Sequence, residues 1–182
     1  MKINLGCGYD TTQDLIRIDS DKNCNPDILI NLDDTNLILP FEDSTIQYVK
    51  AWHILEHIGD GFLKLMQELY RVCSANALID IRVPHPNHDT FLIDPTHKRP
   101  ILPGTFDLMS KKHNYREIKD NGHASTLGIM LDIDFEVIYY RFLYDSYYDS
   151  ILNHMTKNDR YRLLREALNT TIEIIINLKV VK

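Results

Sequence analysis

Short apolar runs, each too short to be a typical helix, dominate the first half of this chain. They cover residues 2–5, 15–19, 27–32, 46–51 and 77–83, and such runs are typical of buried β-strands. One amphipathic helix is predicted over about 61–73, because its apolar side chains recur with helical spacing at Phe62, Leu65, Met66, Leu69 and Val72. A strand, a helix and a further strand in this order indicate parallel strands joined by a right-handed crossover, so we predict an α/β fold.

The connections between the first three predicted strands are short. Residues 9–14 and 20–26 leave no room for the dozen or so residues that a crossover with a helix needs. Several strands also alternate between apolar and polar side chains, whereas a parallel strand that is covered on both faces is continuously apolar. We therefore expect reduced helical cover, with helices mainly on one face. The other face is expected to be polar near its middle, or covered by the C-terminal helix or a second copy of the chain.

The C-terminal third predicts a strand at 134–144, a helix at about 148–168 and a strand at 171–181, after a short helix that ends near 131–133. Six aromatic residues fall within 139–148. They suit base stacking on a nucleic acid, but their β-strand spacing favours a half-buried sheet face or a contact in a homo-oligomer.

Length and composition limit the class of protein. A chain of 182 residues corresponds to a single domain that folds without disulfide or metal cross-links. It contains no apolar run near the 20 residues of a membrane span, and its net charge of −6 argues against non-specific nucleic-acid binding. Three scattered cysteines suit a reducing environment, so we predict a cytoplasmic protein.

Three polar or glycine-rich sites follow the first three strands. The first strand runs into Gly6-Cys7-Gly8, the second ends at Asp19, and the third reaches Asn31. The carboxyl ends of neighbouring parallel strands form the ligand-binding edge of an open sheet, where glycines allow close approach and an acid can hold ribose hydroxyls. Each site also has a plain structural explanation, as a tight turn, a solvated loop acid or a cap.

Five segments in this order resemble the motifs of class I S-adenosylmethionine-dependent methyltransferases, nearest to the methyltransferase type 11 branch and its short, uncharacterised members. They are Leu5–Gly8, Ile18-Asp19, Asp27–Leu32, Leu39–Ser44 and His53–His57, and the segments at Pro84–Thr90 and Asp94–Arg99 resemble the short members. The resemblance implies a Rossmann-like class I methyltransferase fold, with a mostly parallel sheet and an antiparallel strand near the C-terminus. It implies a cofactor-binding half at 1–83, an acceptor-side insert at 84–133 and a strand-helix-strand unit at 134–182.

The same resemblance implies residue roles and S-adenosyl-L-methionine as the cofactor. The glycine-rich turn would pass under the methionine part, Asp19 would hold the ribose, the adenine would be flanked by two residues, and one histidine would lie near the sulfonium. The residues in these roles would be Gly6, Cys7 and Gly8 for the turn, Asn31 and Leu32 for the adenine, and His53 for the sulfonium. The chain departs from the pattern at Asn31, where an acid is usual, and at Ile46-Gln47, where Phe-Asp is frequent.

A histidine-rich segment follows the fifth strand. In one interpretation His85 or His97 is a general base, and Lys98 and Arg99 hold an anionic acceptor. His88 and Asp89 are further acceptor-side candidates, and His57 is a third candidate base, with a helix start at Glu56-His57 as its structural alternative. In a second interpretation this segment binds a divalent metal, but its spacing matches no metal motif and we predict none. In a third it is a proline-stiffened loop.

These observations predict methyl transfer to a small-molecule acceptor at oxygen or nitrogen. Two alternatives from other classes stay open. The chain is a catalytically degenerate binding or assembly protein in the first, and a metal-dependent hydrolase built on residues 84–99 in the second.

Overall fold

A computed structural model describes residues 1–148 and 150–182 in full, together with the helical backbone at 149. Within these residues seven strands form one sheet in the order β3-β2-β1-β4-β5-β7-β6. The strands are β1 (Lys2–Leu5), β2 (Ile16–Asp19), β3 (Ile28–Leu29), β4 (Ile46–Trp52), β5 (Cys73–Pro84), β6 (Phe135–Tyr144) and β7 (Thr171–Val180). Strands β1 to β5 are parallel, and β7 is antiparallel to both β5 and β6. The predicted fold class is confirmed.

The helices follow β4, β5 and β6. They are α1 (Phe62–Val72), α2 (Asp89–Leu92), α3 (Pro103–Asp107), α4 (Lys111–Lys119), α5 (Leu127–Met130), α6 (Ser146–Asn153) and α7 (Lys157–Glu166), with 3-10 turns at Lys22–Cys24 and Leu55–His57. Helix α1 confirms the helix predicted over 61–73. The single helix predicted over 148–168 is wrong, because Thr156 accepts the Asp159 N–H and caps a new helix, α7. Helices of the described chain lack the length and apolar character needed to cross a bilayer.

One face of the sheet carries the hydrophobic core. Its side chains form rows across the strands, and one row consists of Ile3, Val49, Ile79 and Leu178. All four are almost completely buried. Helix α1 adds its own buried side chains to the same core cluster, and full burial of each large apolar side chain contributes about 1.5–3 kcal/mol.

The opposite face is polar and closed by its own side chains. The next row across the sheet consists of Asn4, Lys50, Asp80 and Asn177. Lys50 pairs with Asp10, and Asp80 accepts hydrogen bonds from the Tyr48 hydroxyl, the Trp52 indole and the Asn177 amide at 3.1–3.2 Å. This network explains the alternation of the strands, because every second side chain along them faces this polar layer.

Strand β3 is shorter than predicted. It ends at Leu29, two residues before Asn31, whose side-chain oxygen accepts the Asp33 N–H at 3.0 Å. An asparagine that bonds to the backbone two residues ahead forms a turn, so the chain leaves the sheet before residue 32. This turn carries Asn31, Leu32 and Asp33 over the carboxyl ends of β1 and β2.

Candidate functional site

A cavity of about 230 Å³ lies at the carboxyl ends of β1, β2 and β3, and we call it the β1–β3 cavity. It is lined by Gly6, Asp19, Ser20, Ile30, Asn31, Leu32, Asp33, Ile54, His57, Ile58 and Lys98. Four residues from the predicted cofactor set, Gly6, Asp19, Asn31 and Leu32, therefore lie around one space.

Asp19 ties the glycine-rich turn to the end of β2. Its Oδ2 accepts the Gly8 N–H at 2.8 Å, and its Oδ1 accepts the Asp21 N–H at 2.9 Å. Each carboxylate oxygen has two lone pairs, so Asp19 retains acceptor capacity toward the cavity while these bonds fix its position. The turn and the aspartate are in direct contact.

The two glycines of the turn differ in what surrounds them. Both have positive φ, +59° at Gly6 and +49° at Gly8, which favours glycine. A Cβ at Gly6 would lie 2.6 Å from Ile54 Cγ1, whereas a Cβ at Gly8 would meet open space. Ile54 therefore packs directly on Gly6. Between the glycines, the Cys7 side chain is buried, and this burial, followed by the nearby Asp19, raises the pKa of its thiol.

Asp33 organises the wall of the β1–β3 cavity, and the sequence motifs did not single it out. Its Oδ1 accepts the Gly59 and Gly61 N–H groups at 2.8 and 2.9 Å, and its Oδ2 pairs with Lys98 Nζ at 2.6 Å. Burial alone would raise the pKa of Asp33, but Lys98 and the glycine N–H groups outweigh it and lower the pKa. Asp33 therefore fixes the 59–61 loop as an ionised carboxylate.

The prediction that a helix starts at Glu56 and His57 is wrong. They do not begin the long helix; they belong to the separate 3-10 turn at Leu55–His57, and α1 begins at Phe62. The chain changes direction between these elements, where Asp33 binds the Gly59 and Gly61 N–H groups. The turn directs Glu56 and His57 toward the acceptor-side segment.

A second cavity, of about 470 Å³, adjoins the first, and we call it the histidine cavity. It is lined by His53, Glu56, His57, Pro84, Thr90, Asp94, His97, Leu143, Ile172 and Glu173. His57 lines both cavities. The structure thus brings His57 and His97 together, and it places His53 in the histidine cavity.

His53 lies between two glutamates. Its Nε2 is 2.8 Å from Glu173 Oε1, and its Nδ1 is 3.6 Å from Glu56 Oε1. The close Glu56 carboxylate, with a smaller contribution from Glu173, raises the pKa of His53, although partial burial opposes the shift. Sequence reasoning missed Glu173, because it arrives on β7, opposite Pro84 of β5.

Hydrogen bonds orient the other two imidazoles. Thr96 Oγ1 donates to Asp94 Oδ1 at 2.6 Å and lies 2.9 Å from His57 Nδ1, while His97 Nδ1 lies 2.9 Å from the Phe91 carbonyl oxygen. Because the Thr96 hydroxyl donates its hydrogen to Asp94, Thr96 Oγ1 accepts a hydrogen bond from His57 Nδ1–H. The Phe91 carbonyl likewise accepts from His97 Nδ1–H. In the neutral form of each ring, the lone pair is then on Nε2.

The acceptor-side candidates His85, His88, Asp89 and Arg99 are not among the residues that line the two cavities. His85 packs edge-on against the Phe142 ring, and burial lowers its pKa. His88 is buried and caps α2 by accepting the Thr90 N–H, and Asp89 is the exposed first residue of that helix. Arg99 donates to the Ile58 and Gly59 carbonyl oxygens. Lys98 differs from these residues, because it lines the β1–β3 cavity as the partner of Asp33.

No protein-family model and no curated protein matches the sequence. Solved structures do match. A SAM-dependent methyltransferase from Archaeoglobus fulgidus has a TM-score of 0.58 at 17% identity, covering 98% of this chain and 85% of that one. An S-adenosylmethionine-dependent methyltransferase from Mesorhizobium loti has a TM-score of 0.56 at 13% identity, with 98% and 89% covered.

The chain has the class I methyltransferase fold. Its sheet order and antiparallel β7 agree with the predicted class, and the matches extend over nearly its whole length. The same fold also occurs in the [4+2]-cyclase SpnF, at a TM-score of 0.55 and 12% identity, with 99% of this chain and 75% of that one covered. A methyltransferase fold alone therefore leaves the reaction to be argued from the site.

Proposed function

We propose that the protein transfers the methyl group of S-adenosylmethionine to a small acceptor, at an oxygen or nitrogen atom. One observation carries the proposal: the β1–β3 cavity joins Gly6, Asp19 and Asn31 at the carboxyl edge of a sheet with the methyltransferase fold. Open parallel sheets bind their ligands at this edge. The predicted cofactor residues and the fold thus support the same site.

The residues of the β1–β3 cavity suit an adenosyl group. Asp19 is held by two backbone N–H groups and retains lone pairs for ribose hydroxyls. Asn31 is exposed and Leu32 is buried, so they offer a polar and an apolar edge to an adenine ring. Gly6 also lines this cavity. When bound, S-adenosylmethionine supplies an electrophilic methyl group, and the protein's part is to align acceptor, methyl and sulfur.

We assign the acceptor to the histidine cavity, because it shares His57 with the β1–β3 cavity. Its lining of imidazoles and carboxylates suits a small polar molecule with a hydroxyl or amine group. Lys98 and Arg99 were expected to hold an anionic acceptor, but they already contact Asp33 and main-chain carbonyl oxygens. The proposal therefore does not require a negatively charged acceptor.

A thermal-shift titration with S-adenosylhomocysteine tests the cofactor part. At 100 times the Kd we expect about 2.7 kcal/mol of added stability. Asp19→Ala should remove most of this gain, and Asp107→Ala, an exposed acid at the end of α3, should leave it unchanged. The variants are compared by their ligand-induced gain, because Asp19→Ala also loses the Gly8 hydrogen bond.

Two results would count against the proposal. A wild-type protein that gains no stability from S-adenosylhomocysteine at millimolar concentration would favour the degenerate binding or assembly protein. If Asp19→Ala gains as much stability from S-adenosylhomocysteine as the wild type does, the protein binds the cofactor but Asp19 does not hold its ribose.

A further inference from the structure

Glu56 is a buried carboxylate without a hydrogen-bond donor. It is 1% exposed, and neither Oε1 nor Oε2 has a partner among the described residues. His53 Nδ1 is 3.6 Å from Oε1, beyond hydrogen-bond distance, and the same ring contacts Glu173 at 2.8 Å through Nε2. Removing an ionised carboxylate from water without a partner is strongly unfavourable. His53 is therefore near Glu56 in the histidine cavity but leaves both of its carboxylate oxygens without a hydrogen bond.

Two imidazoles converge on the same place. Glu56, His57 and His97 each offer one ligand atom, and these atoms lie within 4.8 Å of one another. Both Nδ1 atoms are engaged in hydrogen bonds, so Nε2 is the ring atom of His57 and of His97 that a metal ion would bind. The Phe91 ring stacks on His97 with centroids 5.1 Å apart and fixes the ring plane.

We propose that Glu56, His57 and His97 bind one divalent first-row transition-metal ion, of which Zn²⁺ is the simplest example. Two imidazoles and one carboxylate are a suitable donor set for such ions and leave a coordination position for a further ligand. The cation would supply the partner that the Glu56 carboxylate lacks.

The surroundings of the three residues are those of a metal site. Metal-bound histidines commonly donate their second ring N–H to a carbonyl, hydroxyl or carboxylate, which fixes the tautomer. His97 donates to the Phe91 carbonyl, and His57 donates to Thr96, which donates to Asp94. No spacing in the sequence indicates this set, because two ligands are adjacent and the third follows forty residues later.

The proposed metal site does not depend on the proposed methyl transfer. A role for the metal in catalysis, however, rests on that proposed function. Glu56, His57 and His97 all line the cavity assigned to the acceptor. A metal lowers the pKa of a bound hydroxyl or water, so an acceptor hydroxyl bound to the ion would release its proton to solvent water without a histidine base. His57 and His97 would then act as ligands, in place of the base role expected from the sequence.

A Co²⁺ titration of the full, chelator-treated protein tests the site, with visible absorption as the readout and Zn²⁺ as competitor. We expect one equivalent of Co²⁺, displaced by one equivalent of Zn²⁺. Glu56→Gln and His97→Ala should each weaken binding at least tenfold. His123→Ala removes an exposed histidine from a loop outside the cavity and should bind as wild type does.

Wild-type protein that binds no Co²⁺ or Zn²⁺ at 100 micromolar overturns the proposal without any variant. Binding that is equal in wild type, Glu56→Gln and His97→Ala overturns it as well. Circular dichroism establishes that each variant is folded, and His57→Gln replaces either variant that is not. The titration contains no S-adenosyl compound, so its outcome is separate from that of the cofactor test.

Discussion

Two buried glutamates lie twelve residues apart and have opposite surroundings. Glu68, on α1, is 5% exposed, accepts the Leu39 N–H at 2.9 Å and pairs with Arg71 at 2.7 Å. Glu56 is 1% exposed and has no donor in the described structure. The region around Glu68 joins α1 to the 39–43 loop, since Arg71 also binds the Leu39 and Phe41 carbonyl oxygens. The histidine cavity around Glu56 has no such partners.

This difference separates a buried charge that the fold satisfies from one that it leaves without hydrogen bonds. A buried carboxylate that is fully hydrogen-bonded stabilises the fold, and its removal leaves its partners unsatisfied. A buried carboxylate without partners reduces stability, and sites that do so commonly serve binding or catalysis. Burial alone does not distinguish the two residues, but their hydrogen bonds do.

The largest expected effect is the loss of Glu68. Glu68→Ala leaves Arg71 and the Leu39 N–H without their partner, and we expect a loss of about 3 kcal/mol, at the low end for a broken buried pair because Arg71 is partly exposed. Urea unfolding at pH 7 measures it. Glu42→Ala, an exposed glutamate of the same loop, should change stability by less than about 0.5 kcal/mol. Equal losses in both variants would contradict the structural role of Glu68.

The variant Asp33→Ala tests whether a hydrogen-bonded carboxylate stabilises the fold even where it lines a cavity. Asp33→Ala leaves the Gly59 and Gly61 N–H groups unsatisfied, and we expect a loss of about 2 kcal/mol. The neighbouring Asp34 is exposed and accepts only the Asn36 N–H in the described structure, so Asp34→Ala should cost about half as much or less. The same unfolding measurement compares them, and the reverse order would show that the 59–61 loop does not depend on Asp33.

Glu56→Gln should increase the free energy of unfolding, in contrast to Glu68→Ala and Asp33→Ala. In metal-free protein it removes a buried charge that has no hydrogen bond and keeps the side-chain shape, so we expect a gain of about 1 kcal/mol. Thermal or urea unfolding after chelator treatment measures it. A loss of stability in this variant would place Glu56 in the same class as Glu68.

The smallest effect is a pH dependence at Glu68. Burial would raise the pKa of Glu68, but Arg71, the Leu39 N–H and Lys64 outweigh it and lower the pKa below its ordinary value. A carboxyl whose folded pKa is lowered stabilises the fold fully above its unfolded pKa and loses this contribution as the pH falls through the folded pKa. The stability difference between wild type and Glu68→Gln should therefore be constant from pH 7 to about 5.5 and shrink below about 4.5. A difference that persists to pH 3 would exclude ionisation as its source.

The sheet was predictable from sequence because its strands alternate between a buried and a polar face. The row that contains Ile3 and Ile79 and the row that contains Asn4 and Asp80 both follow from this period of two. Gly6 and Asp19 were predictable as neighbours for a similar reason, because the carboxyl ends of adjacent parallel strands lie at one edge.

The histidine cavity was not predictable in the same way. The antiparallel register of β7 places Glu173 opposite Pro84, and from there its side chain contacts His53, which lies 120 positions earlier in the chain. The position of Glu56 depends on Asp33, whose bonds to Gly59 and Gly61 separate the 55–57 turn from α1. Such contacts arise between loops that have no periodic pattern, so local sequence rules do not reveal them.

The segment from His53 to Ile58 is the common wall of the two cavities. Ile54 and Ile58 face the β1–β3 cavity, His53 and Glu56 face the histidine cavity, and His57 faces both. A ligand that displaces this wall from one side changes the shape presented on the other. Thermodynamic linkage then requires reciprocity: the factor by which the first ligand alters the affinity for the second is the factor by which the second alters the affinity for the first.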